Sequence, residues 1–123
     1  MMRTVTLRKR DGDVVCERCG LADRMLPRMR GLLGRRSLAR DEGLLLRPAP
    51  SIQTFFMRFP IDAVFLDREG TVLKVRAAIR PWRFAGCRGA HATLELAAGV
   101  AGQRAINEGD RIELTGELAN VHV

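Results

Sequence analysis

Residues 61–75 read IDAVFLDREGTVLKV, and the pairing of this stretch with itself decides the fold. Ile61, Ala63 and Phe65 alternate with Val64 and Leu66, the period of two that a strand requires. Asp67 then opens a short turn in which Gly70 is the natural positive-φ residue, and TVLKV returns as a second strand. Upstream, RTVTLR (3–8) places Val5 and Leu7 on one face, RDGD turns the chain, and VVCERC (14–19) completes a second predicted hairpin. Met25, Leu26, Met29, Leu32 and Leu33 recur at helical spacing behind Asp23 as a cap, Pro27 restricts where that helix starts, and Gly34 can end it. EGLLLRPAPS (42–51) is an apolar run closed by two prolines. Downstream, Pro81, Gly86 and Gly89 punctuate an irregular connection, ATLEL (92–96) reads as a strand, AGVAGQRAI (98–106) as a short helix, and NEGDRIEL (107–114) as a turn and last strand. Many short strands with two brief helices predict a mainly β (α+β), barrel- or sandwich-like fold in one domain over residues 1–123.

Just before the first hairpin, TFFMRFPID (54–62) holds three of the five phenylalanines around one arginine. Read as an extended strand, it sets Phe55, Met57 and Phe59 on one side and Thr54, Phe56 and Arg58 on the other, with the phenylalanines assigned to the core. Four extended residues span about 13 Å, so Arg58 meets Asp62 only if the chain bends at Pro60. A bend would form an apolar pocket with a guanidinium able to clamp a carboxylate or phosphate. The commoner outcome leaves Asp62 tying down turn or strand amides and Arg58 paired elsewhere or reaching solvent.

The chain has 123 residues and 46% hydrophobic content, enough for one real core. No stretch reaches the roughly 18 apolar residues of a membrane helix, and the start carries no apolar leader, so a cytoplasmic location is expected. The net charge of +7 is uneven: residues 1–61 carry 13 basic and 6 acidic side chains, residues 62–123 carry 8 of each. Such a half can attract phosphates. Arginine-rich composition explains it as well, and nucleic-acid binding gains nothing from phenylalanines assigned to the core.

RGLLGRRSL (30–38), EGLLL (42–46), FFMRFPIDAVFLDREGTVLKV (55–75), ATLELAAG (92–99) and INEGDRIEL (106–114), in that order, resemble a small prokaryotic family, the domain of unknown function 192. The resemblance is strongest over residues 29–114. It implies a compact β-rich fold with short helices and assigns no activity. The family's Gly-Leu-Met-x-Arg element falls on Gly31, Leu32, Leu33, Gly34 and Arg35. Its aromatic-Met-basic element falls on Phe56, Met57 and Arg58, with Phe56 where many members carry tryptophan and Phe59 where polar residues are usual. The aspartate of Pro-x-Asp is Asp62, the Leu-Glu-x-x-x-Gly element is Leu94, Glu95 and Gly99, and the final turn is Gly109 and Asp110.

Three cysteines do not describe a disulfide framework. Cys16 and Cys19 with Cys87 and His91 could make a tetrahedral zinc site, but only if CERCG forms a knuckle, because a plain strand sets residues three apart on opposite faces. A redox role for the pair lacks the βαβ setting of thioredoxin-like motifs. Asp62, Asp67 and Glu95 include the carboxylates available for acid–base work, yet Asp67 and Asp110 suit turns, and Glu95 between Leu94 and Leu96 is expected to face away from the core. Ser37 and Ser51 have no neighbouring base, and Gly31 and Gly34 lack the lysine of a phosphate cradle.

The expectation is therefore a non-enzymatic ligand- or partner-binding or accessory domain acting through an apolar-plus-arginine surface. Arg58 and Arg35 would meet an anionic group, Phe56 and Trp82 would supply apolar contact, and Asp62 would orient Arg58 or a loop. The alternatives are a small enzyme using Asp62 or Glu95, and a basic nucleic-acid or anionic-surface binder using Arg24, Arg28, Arg30, Arg35 and Arg36. No cofactor is expected, with zinc as the alternative.

Overall fold

The predicted hairpin forms because its turn residues satisfy one another. In a computed structural model, which describes residues 3–22 and 35–115, Asp67 Oδ1 accepts hydrogen bonds from the amides of Glu69 and Thr71, both 2.9 Å long, and Gly70 lies at φ +85°. The strands it joins are β5 (Ile61–Leu66) and β6 (Val72–Ile79). A Cβ at Gly70 would collide with the carbonyl oxygen of Ile112, whereas Gly109, at φ +92°, has open space around it. Gly70→Ala is therefore expected to cost about 2–4 kcal/mol and Gly109→Ala about 1 kcal/mol in urea denaturation, since only the first adds a steric clash to left-handed strain. Equal losses would show that the closeness of Ile112 is irrelevant.

The remaining strands are β1 (Arg3–Lys9), β2 (Val14–Ala22), β3 (Glu42–Leu46), β4 (Ser51–Gln53), β7 (Phe84–Gly86), β8 (Ala92–Ala97) and β9 (Ile112–Thr115); helix α1 spans Val100–Gln103. Seven of them make one sheet in the order β6-β5-β8-β3-β2-β1-β9, antiparallel except for β2 against β3. The sheet curls until its two edges meet: Thr71 bridges Arg111, and Val72 N donates to Asp110 O at 2.8 Å. The fold is thus mainly β, a curled half-barrel, as the strand pattern predicts. The helix predicted over 23–34 lies outside the described residues, and the second is shortened to the single turn of α1.

Curling gives the sheet two apolar faces. Inside lie Val5, Leu7, Cys16, Cys19, Leu94 and Val100; outside lie Leu44, Met57, Ile61, Ala63, Phe65 and Ile79, with Ile52 and Ala85 of the two-stranded β4–β7 ribbon. Strands β5 and β8 are buried at five or more positions on both faces, which is why IDAVFL and ATLELA lack a polar side. Each fully buried side chain of the size of Phe65 contributes about 2–3 kcal/mol.

Candidate binding surface

Thr54 builds this surface. It is fully buried; its Oγ1 donates to Arg80 O at 2.7 Å and accepts from Arg83 N at 2.9 Å. Its backbone N donates to Arg83 O, and its carbonyl accepts from Met57 N and Trp82 N, at 2.9, 3.2 and 3.0 Å. One residue therefore clamps loop 54–60 onto loop 80–83. The clamp prevents TFFMRF from being a strand and buries Thr54, although Met57 and Phe59 still pack inward while Phe56 and Arg58 face solvent. Phe56 turns into the left-handed region at φ 66°, Met57 swings into the outer core, and Arg58 returns to solvent. Trp82 takes the same unusual conformation, φ 65°.

Phe56 and Phe84 are consequently not core, while Phe59 packs on the outer apolar face. Phe56, Trp82 and Phe84 are 69%, 54% and 72% exposed, and Phe65 alone of the five phenylalanines is fully buried. Phe55 stacks on Trp82 (centroids 5.4 Å apart, 25° between planes), Phe84 sets its edge against Phe55 at 4.9 Å, and Phe56 tilts over Trp82 at 4.6 Å. Exposed aromatic clusters of this kind are uncommon on surfaces without a binding role. Arg58, Arg80 and Arg83 are exposed on the same two loops. Arg83 Nη1 donates to the carbonyls of Pro81 and Trp82, at 3.4 and 3.3 Å, which ties its guanidinium to the backbone of the same loop.

Of the five residues singled out from sequence, the structure brings only Phe56 and Trp82 into contact. Arg58 follows two positions after Phe56 but does not meet Asp62. Asp62 is fully buried: Oδ1 accepts from Ala78 N at 2.8 Å, and Oδ2 accepts from Gly99 N and Ala101 N, both at 3.0 Å. It fastens β6 and the start of α1 to β5, where Ala78 has φ 51°. Arg35 is paired with Glu42 at 2.9 Å. The backbone amide of Ala39 and then that guanidinium hold the Glu42 carboxyl below its ordinary range.

Glu95, expected to face away from the core, does the opposite. It lies opposite Leu44 and Ala63 on the outer apolar face and is 5% exposed, because β8 is covered on both sides. Burial pushes its carboxyl up to about 7. Asp62 sits opposite Leu96, one register position away, so the two carboxylates occupy opposite faces of the sheet and cannot act as an acid–base pair.

The cysteines are rearranged by a bulge rather than a knuckle. Val5 opposes Cys19 and Leu7 opposes Cys16, so Thr6 alone faces both Glu17 and Arg18, and both thiols enter the inner core. The hydrogen bond between them draws Cys16 down and, together with burial, pushes Cys19 well up. Cys87 packs on the outer face, and His91 lines a cleft with Asp67 and Glu69 at the far end of the hairpin, so the proposed ligand set is not assembled. Among the described residues no three histidine, cysteine or acidic side chains cluster as a metal site, and no helix is long and apolar enough to cross a membrane.

A curled β sheet carrying a loop-borne aromatic platform is the class of protein this chain defines. Residues 6–114 match the model of the domain of unknown function 192, described as an uncharacterized ACR, and the chain belongs to that family. A candidate transcription regulator of Sinorhizobium meliloti 1021 is similar over 92% of this chain and 95% of its own, with 24% identity and a TM-score of 0.82, a likeness of fold. A protein of unknown function from Novosphingobium aromaticivorans DSM 12444 covers 91% of this chain and 84% of its own, with 25% identity and a TM-score of 0.77. No curated protein matches the chain.

Proposed function

We propose that the chain is a binding or accessory module whose working surface is the Phe56–Trp82 platform, and that its ligand or partner carries negative charge beside an apolar or planar group. One observation carries this reading: two aromatic side chains are held in solvent by left-handed backbone conformations that cost about 1–3 kcal/mol each. Burial gives no return for that strain, and recognition does, because aromatic and arginine side chains dominate binding energetics.

The fold should not need the ring. Phe56→Gly relieves about 1–3 kcal/mol of backbone strain but loses about 0.5–1.5 kcal/mol of ring contact and adds about 0.5–1 kcal/mol of chain entropy, so urea denaturation should shift by less than about 1.5 kcal/mol. A loss above about 2 kcal/mol would return Phe56 to a structural role.

Trp82 is the only tryptophan, so its fluorescence reports on this surface alone. In low salt, its ratio of iodide to caesium quenching should exceed that of free N-acetyltryptophanamide about twofold or more, because the neighbouring arginines concentrate anions. Replacing Arg58 and Arg83 by serine should shrink the difference, and about 0.5 M sodium chloride should erase it. A ratio no higher than that of the free amide overturns the proposal.

A further inference from the structure

Resting on that reading, we infer that the anionic partner is single-stranded nucleic acid, with bases stacked on Phe56 and Trp82 and phosphates met by Arg58, Arg80 and Arg83. The sequence expectation set nucleic acid aside partly because the phenylalanines were assigned to the core; for Phe56 and Phe84 the structure removes that premise, since they stand in solvent with Trp82.

Charge selects an anion. Residues 43–61 and 70–94 carry no acid, and Arg58, Arg80 and Arg83 stand exposed on the platform loops, whereas Arg47 lies with Asp67 and Glu69 at the far end of β5. The acids between those segments do not offset this. The carboxylate of Asp62 is buried against backbone amides, and Asp67 and Glu69 lie in the turn at the opposite end of β5. Six residues of strand separate them from the platform, roughly 17–20 Å. At physiological salt that is about two Debye lengths.

Shape selects a planar group. Phe55 stacks on Trp82, Phe84 sets its edge against Phe55, and Phe56 lies at 59° to the indole, so the rings brace one another while Phe56, Trp82 and Phe84 each leave more than half of their surface in solvent. Anchors of protein partners seat in desolvated pockets, whereas a base needs only an open π-face and a cation for its phosphate. Bases in a duplex have no free face, so single strands are the form that fits.

The test uses the full chain and a fluorescein-labelled 12-mer oligothymidylate in about 20 mM salt. Anisotropy should rise, Trp82 emission should fall, and the affinity should decline with salt at a log–log slope of about −2, as expected for three phosphate contacts on a single strand. Trp82→Ala should weaken binding about tenfold or more, with circular dichroism confirming the fold. Arg58→Ser should weaken it and reduce the slope by about 0.7. The matching duplex should bind at least about tenfold more weakly. No binding, an unchanged affinity for Trp82→Ala, or a duplex bound as tightly each overturn the inference. An acidic peptide of polyglutamate capped with phenylalanine, binding where the oligonucleotide does not, would overturn nucleic acid and leave the proposed surface standing as a protein-docking face. An iodide-to-caesium quenching ratio no higher than that of free N-acetyltryptophanamide would remove both.

Discussion

Replacing Asp62 by alanine should destabilise the protein by about 4 kcal/mol, a large share of the stability of any domain this size. The carboxylate accepts from three amides, those of Ala78, Gly99 and Ala101, and no other side chain stands in for it. Each buried donor left without an acceptor costs about 1–3 kcal/mol, with entering water recovering part of the total. Two readouts isolate the mechanism. Urea denaturation gives the loss, and hydrogen exchange should show Ala78, Gly99 and Ala101 losing protection before the rest of β5. Asp62→Asn, which keeps one acceptor oxygen and sets two N–H donors against the remaining amides, should fall between alanine and wild type. Arg58→Ala, in an exposed loop, should change stability by less than about 0.5 kcal/mol. An Asp62→Ala protein within about 1 kcal/mol of wild type would mean that the three amides find other partners.

Glu95→Gln should stabilise the protein by about 3 kcal/mol at pH 8 and leave it almost unchanged at pH 4. The carboxyl is pushed by burial from an ordinary 4.5 to about 7. A folded state that holds its proton more tightly than the unfolded chain is favoured at low pH. The stabilisation is complete below about 4.5 and is lost as pH rises through about 7, because ionisation is easier in the unfolded chain. Glutamine does not titrate, so the difference between the two proteins should grow across that window and then level off. Asp41, Glu42 and Asp110 act with the opposite sign: their carboxyls are lowered by a hydrogen bond from Arg18, the Ala39 amide and the Asn107 amide respectively. Their contributions are lost as pH falls below about 4.5, and they cancel in the comparison of the two proteins. Parallel stability curves for the wild type and the Glu95→Gln variant between about pH 4 and pH 8 would show that the carboxyl is not desolvated.

The hairpin over residues 61–75 was legible because its information is local: an alternating pattern, an aspartate and a glycine at the right turn positions. The family resemblance was legible for the same reason, as a set of short motifs in order, and residues 6–114 bear it out. Glu95 was misread because a strand between two leucines looks half-buried. Only the pairing of β8 between β3 and β5, with a covered outer face, buries both sides. Cys16 and Cys19 were misplaced because a bulge is a relation between two strands and leaves no sign in one of them. TFFMRF was misread as extended because Thr54 is clamped by residues 80–83, about 26 to 29 positions away along the chain.

By itself, then, the amino-acid sequence determined the β class, the central hairpin, the family, and Phe56, Arg58 and Trp82 as residues worth testing together. The tertiary structure decided that Asp62 belongs to the fold, that Arg35 pairs with Glu42 elsewhere, and that Phe56, Trp82 and Phe84 face solvent. The physical reason is range. Periodicity and turn chemistry act between neighbours, whereas burial on a second face, closure of the sheet and the Thr54 clamp exist only when distant segments meet.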